Sequence, residues 1–292
     1  MVSETTWRYL PQLLHELFRR ERILLCVIEE TESRLMLLFG GSGFLEPTVL
    51  NNACSRFDEF LLERAFSREL KGTRSFLGYR QIAEANERGD LRLLNFFGAP
   101  RGFDPTNPRA PLPASKFVET WNFFHMGYQL KEVWVEFSDP VRTAVMAATG
   151  LELIWQREGI GGDTVSRFRV GKEHAIKNPA GWPFHALLSA RPDFSFTRAQ
   201  QKILELALLD RSDREICAEL ALSPNTLKKR WRSIYRTVRH ERVDFPDHPV
   251  GKRNELLEMV RSNLAELRPY RRPGRALFRS GNSSASAPII PV

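Results

Sequence analysis

The sequence predicts an α+β N-terminal body followed by an all-α C-terminal domain, and three observations carry that expectation. Strand-like and helical runs interleave through the first 170 residues, whereas only helical periodicity follows Ser195. Between these regions, Pro179, Gly181, Pro183 and Pro192 interrupt any regular pattern. The formal charge of +8 is also segregated: 24 Lys and Arg balance 24 Asp and Glu through Phe194, and 19 face 11 from Ser195 onward. A chain of 292 residues is long enough for two cores.

Taken in order, residues 5 to 20 have helical spacing, and Ile23 to Ile28 and Leu35 to Phe39 read as an antiparallel strand pair joined by a polar segment. Gly40-Gly41-Ser42-Gly43 breaks that pattern and reads as a strand-end turn. Val49 to Phe66 is helical, Leu91 to Phe97 a strand, and the prolines from Pro100 to Pro113 mark a surface loop or internal boundary over 98–114. Lys116 to Met126 is helical and Tyr128 to Phe137 alternates like a strand. Pro140 to Thr149 opens a helix with proline in its first turn. Leu151 to Arg157 and Thr164 to Val170 then form a hairpin around Gly159-Ile160-Gly161-Gly162. The expected division is a sensor-like body over 1–170, a linker over 171–194, a helical domain over 195–268 and a basic disordered tail over 269–292.

Three helix starts follow one another in the C-terminal third. Thr197 with Gln200 and Ser212 with Glu215 have capping-box spacing, and Ser223 precedes Pro224, a hydroxyl cap before a first-turn proline. Ile203, Leu204, Ala207 and Leu208, then Ile216, Cys217 and Leu220, then Leu227, Trp231, Ile234 and Val238 form apolar stripes that must pack together. Opposite the last stripe stand Asn225, Lys229, Arg232 and Arg236. From Lys228 to Arg239 the chain carries Lys228, Lys229, Arg230, Arg232, Arg236 and Arg239 without one acidic residue. A helix, a short break and a helix with a cationic outer face is the spacing of a helix-turn-helix, so double-stranded DNA is the partner this pattern predicts.

Phe196-Thr197-Arg198, Ile203-Leu204, Ser212 to Cys217, Leu220, Leu222-Ser223 and Thr226-Leu227-Lys228 resemble the C-terminal DNA-binding domain of LuxR-type transcriptional regulators. The resemblance covers Ser195 to Leu267 and leaves the N-terminal family unassigned. It implies base contacts from Lys228, Lys229 and Arg232 and backbone contacts from Thr226 and Arg230, with Asn225 and Arg236 on the same face. It also implies a dimerisation helix, for which 252–267 offers Leu256, Leu257, Val260, Leu264 and Leu267. The expected function is a bacterial DNA-binding transcriptional regulator, not an enzyme, whose body senses a signal or small ligand. The alternative is a constitutive DNA-binding protein whose body is a protein-interaction module.

For the body, Trp121, Phe124, His125, Tyr128 and Trp134 are the candidate lining of an apolar ligand pocket, with Glu119 or Glu132 available to tune His125. Trp121, Tyr128 and Asp139-Pro140 supply the residue types of acyl-homoserine-lactone sensors without their spacing. Phosphate-loop, dinucleotide and nucleophile-elbow motifs are missing, and the six histidines lack metal-ligand spacing, so no catalytic residue, metal or cofactor is expected. Three cysteines without a Cys-x-x-Cys pair suit a reducing cytoplasm, and no apolar run approaches the about 20 residues of a membrane span.

Overall fold

The structure is a computed structural model, and it describes residues 4–29, 36–53, 60–98, 111–138, 143–144, 147, 150–158, 164–177, 184–194, 196–242, 245 and 251–270. Of the helix expected over 140–149 only residues 143, 144 and 147 are described, and these are helical; all but the first two residues of the expected tail lie outside the described residues.

Helix α1 (Glu4–Arg19) leads into β1 (Ile23–Glu29) and β2 (Met36–Phe44), which pair antiparallel as expected. Two helices, α2 (Pro47–Ala53) and α3 (Leu61–Leu70), replace the single helix predicted there, and α4 (Tyr79–Arg88) follows. Next come β3 (Leu91–Gly98), α5 (Pro111–His125), β4 (Leu130–Phe137) and the hairpin of β5 (Glu152–Glu158) with β6 (Thr164–Gly171). The strands form one six-stranded sheet in the order β1-β2-β3-β4-β6-β5. It is mixed, because β3 and β4 run parallel with α5 as their crossover.

Helices cover both faces. On one, Leu17 of α1 and Leu61, Ala65 and Phe66 of α3 pack on Ile23, Leu94, Phe96 and Trp134. On the other, Ile82 and Ala85 of α4, Trp121 of α5, and short helices α6 (Lys172–Lys177) and α7 (Phe184–Leu187) cover Phe44, Leu93, Val133, Val135 and Phe168. Gly40 to Gly43 does not end β2 but continues it across the sheet. A Cβ on Gly41 would stand 2.5 Å from the Cζ of Phe96, so the ring of the neighbouring strand can lie flat only over a glycine. The sequence shows the glycine but not the ring, which comes 55 residues later.

The C-terminal helices are α8 (Arg198–Leu208), α9 (Asp213–Glu219), α10 (Pro224–Glu241) and α11 (Lys252–Ser262), followed by a 3-10 turn over Leu264–Leu267. Thr197 and Ser212 close the expected capping boxes, and the Ser223 hydroxyl accepts from the Thr226 N–H. These helices are sutured to the sheet. Buried Glu266 accepts from the N–H groups of Asp193 and Phe194, and buried Arg268 donates to the carbonyls of Met126 and Phe123. The fold class expected from sequence is therefore corrected. Instead of a body followed by a separate all-α helix-turn-helix domain, the chain builds a mixed sheet flanked by helices and folds its C-terminal helices back onto it. Parallel pairing and long-range sutures leave no local periodicity to read.

The expected dimer stripe is corrected by the same packing. Leu256 and Val260 are buried in the C-terminal core, Leu257, Met259 and Leu264 pack against it, and Leu267 is covered. Those side chains are used within the chain. No helix among the described residues is long and apolar enough to cross a membrane.

Candidate functional site

Where α8 faces the open end of the sheet, a cleft of about 830 Å³ lies between β1, β2 and α5 on one side and α8 to α10 on the other. Strand alternation sets its floor: Leu24 and Cys26 of β1 and Gly40 and Ser42 of β2 recur every second residue and line it. From α5, Trp121 and His125 stand one helical turn apart, their rings stacked at 4.5 Å between centroids.

Ser42 and His125 are each 3% exposed, and Ser42 Oγ lies 2.6 Å from His125 Nε2. The ring's other nitrogen, Nδ1, is 2.7 Å from the Trp121 carbonyl oxygen. A carbonyl only accepts, so Nδ1 carries the proton, Nε2 presents its lone pair, and the Ser42 hydroxyl donates to it. Trp121 Nε1 donates in turn to Asn95 Oδ1 at 3.1 Å, which fixes the indole against β3.

Burial pushes the His125 pKa down to about 3, opposed by its bond to the Trp121 carbonyl and assisted by the nearby Arg268 charge. The ring is neutral at physiological pH. In the unfolded chain it would titrate near 6.5, so the unfolded state binds more protons between that value and about 3, and stability falls as pH drops through this window. Between pH 7 and pH 5 the unfolding free energy should fall by about 2 kcal/mol more in the native chain than in His125→Gln. Urea midpoints at the two pH values check this; parallel losses would exclude the histidine as the cause.

The cleft mouth carries Arg198, Lys202 and Arg230 against Glu21, Glu205 and Glu219. Arg198 pairs with Glu21 and lies over the Tyr79 ring at 4.5 Å, while Lys202 stands 3.9 Å from Glu21 and 3.8 Å from Glu205. A smaller cavity of about 380 Å³ adjoins, lined by Ser42, Phe124, Tyr128, Gln201 and Arg268 among others. Burial raises the Tyr128 pKa to about 12, so its phenol stays protonated.

Of the pocket residues expected from sequence, Trp121, Phe124 and His125 line the large cavity, and Phe124 and Tyr128 the small one. Trp134 does not join them, because it alternates to the other face of β4 and packs with Leu94 and Phe96. Glu119 and Glu132 do not reach His125; they pair with Lys116 and Arg92. Ser42 and Cys26 were missed, although their alternation with Gly40 and Leu24 was the available signal. Asn225, Lys228, Lys229, Arg232 and Arg236 are exposed on α10, Thr226 is engaged with Ser223, and Arg230 is half-buried at the cleft rim. Among the described residues no group of three or more His, Cys, Asp or Glu is placed to hold a metal ion.

No protein-family model matches the sequence, and no curated protein sequence matches it. Solved structures do. A mutant spermidine N-acetyltransferase, SpeG, from Vibrio cholerae aligns over 59% of this chain and 79% of its own, at 8% identity and a TM-score of 0.33. FeeM, an N-acyl amino acid synthase from uncultured soil microbes, aligns over 59% and 93%, at 6% identity and a TM-score of 0.28. A mosquito arylalkylamine N-acetyltransferase-like protein aligns over 53% and 77%, at 9% identity and a TM-score of 0.29. Their descriptions name an N-acetyltransferase, an N-acyl amino acid synthase and an N-acetyltransferase-like protein, and none names a transcription regulator. On that finding the expectations of a LuxR-type regulator, of double-stranded DNA as partner and of a non-enzymatic chain are withdrawn. Likeness at these TM-scores carries no activity over to this chain.

Proposed function

We propose that the chain binds a small organic molecule with an apolar body in the cleft between β1, β2, α5 and α8. The observation that carries this reading is the buried Ser42–His125 pair, a fully oriented polar couple facing a cavity of about 830 Å³. Burying two polar groups is tolerable because each satisfies the other, and placing them beside an unfilled volume suits a ligand that completes the set. Trp121 and Phe124 supply the aromatic wall. A cytoplasmic setting belongs to the same proposal and is supported by Cys26 and Cys217, both free thiols. The test is thermal unfolding with a panel of neutral amphiphiles. A binder should raise the midpoint of the native chain but not of Cys26→Phe, whose ring would occupy the cavity; equal shifts in both reject the site.

A second reading, acyl transfer from a thioester, is favoured by the parting of β3 and β4. They pair only as far as Asn95 and Val135; β3 then continues to Gly98 along β2, and β4 to Phe137 along β6. An extended thioester arm could enter that notch and take strand-type hydrogen bonds from the backbone. Incubation with an acyl-coenzyme A and a primary amine should then release free thiol faster than either alone, and a rate equal to the blank removes this reading.

A further inference from the structure

We propose that the molecule held in the cleft carries an uncharged N–H or O–H donor, in its simplest form a secondary amide, that donates to Ser42 Oγ. This rests on the cleft reading above and narrows it to one ligand chemistry.

The direction of the hydrogen-bond chain decides the donor. Because the Trp121 carbonyl fixes the proton on His125 Nδ1, Nε2 must accept, and the single proton of the Ser42 hydroxyl is committed to it at 2.6 Å. What Ser42 has left toward the cavity is lone pairs. A ligand carbonyl or ester oxygen brought there would meet lone pair with lone pair, whereas an N–H or O–H completes the chain.

The charge around the site decides the rest. Leu24, Cys26, Gly40, Trp121 and Phe124 at the floor carry no charge, and neither does His125. At the mouth three cations meet three anions, with Arg198 bound to Glu21 and Lys202 between Glu21 and Glu205. A carboxylate would meet the lone pairs of Ser42 with its own, and an ammonium pressed onto Ser42 would lose its hydration beside the Arg268 charge that already bears on His125, which costs more than one hydrogen bond returns. Leu206, Leu209 and Leu220 on the opposite wall provide a surface for an aliphatic tail.

The experiment is calorimetric titration with three matched probes: N-hexylacetamide, hexyl acetate and hexylammonium chloride. The amide should bind about tenfold tighter than the ester, with the ammonium weaker than the amide by at least as much. In Ser42→Ala the amide should fall to the ester's affinity while the ester is unchanged. An ester equal to the amide in the native chain overturns the donor assignment and leaves the cleft standing, and an ammonium that binds tightest overturns the neutrality. If none of the three binds at millimolar concentration, the cleft reading itself fails. The native-chain comparison decides the matter even if Ser42→Ala does not fold.

Discussion

Replacing Arg167 by Met should lower the unfolding free energy by about 3 to 5 kcal/mol, the range for removing one partner of a buried ion pair. Arg167 and Glu136 face each other across β6 and β4, their side chains are 2% and 8% exposed, and Arg167 Nε lies 2.7 Å from Glu136 Oε1. The carboxylate also accepts from the backbone N–H groups of Leu61 and Leu62 at 2.9 and 3.0 Å, so it holds the first turn of α3 to the sheet. With the guanidinium gone, Glu136 keeps those two donors but is a buried anion without a cation. Glu136→Gln in the Arg167→Met background should restore a large part of the loss, because it removes the uncompensated charge. Urea unfolding of the two variants and the native chain measures both changes. A loss below about 1 kcal/mol for Arg167→Met would mean that the pair is far better solvated than its burial indicates.

That pair also shows how legibility is distributed along the chain. What depends on neighbours three or four residues apart was readable: the capping boxes at Thr197 and Ser212, the stripes of α8 to α10, and the β5–β6 hairpin. Contacts that join distant segments were not. Glu136 and Arg167 look like outward polar positions in alternating strands until β4 is set beside β6. Ser42 and His125 are 83 residues apart, and nothing local to either announces the other. Glycines 41 and 43 read as a turn because the aromatic rings that require them, Phe96 and Phe76, lie on other segments. The LuxR resemblance rested on caps and stripes, which describe how three short helices pack and not what their outer face meets. Arg230 is the instructive residue: local spacing assigns it to a cationic flank, and the fold sets it at the rim of a cleft shared with the sheet.

Gly127→Ala should cost about 4 kcal/mol, and the loss should be confined to the C-terminal helices and the cleft. Gly127 has φ +93°, which an alanine adopts at a penalty of about 1 kcal/mol. The larger part is steric. A Cβ there would lie 2.5 Å from the carbonyl carbon of Leu264 and 2.6 Å from Ala265 Cα, and these are backbone atoms that cannot rotate aside. The 264–268 segment must therefore lift, and its sutures lift with it. Arg268 would leave the carbonyls of Met126 and Phe123, Glu266 the N–H groups of Asp193 and Phe194, and the carbonyls of Glu266 and Arg268 the Gln201 amide. Arg268 is 3% exposed, so its charge would lose its partners before it regains water. Since α8 forms one wall of the cleft, ligand binding should disappear while the sheet persists. Hydrogen exchange should show faster exchange in α8 to α11 and native protection in β2, β3 and β4. Gly72→Ala is the control, because Gly72 also has a positive φ, +76°, but nothing lies within 4 Å of its would-be Cβ. It should lose only the backbone penalty of about 1 kcal/mol. If the two alanine variants lose the same stability, the 264–268 segment does not rest on Gly127, and the C-terminal helices are held to the sheet by something other than these sutures.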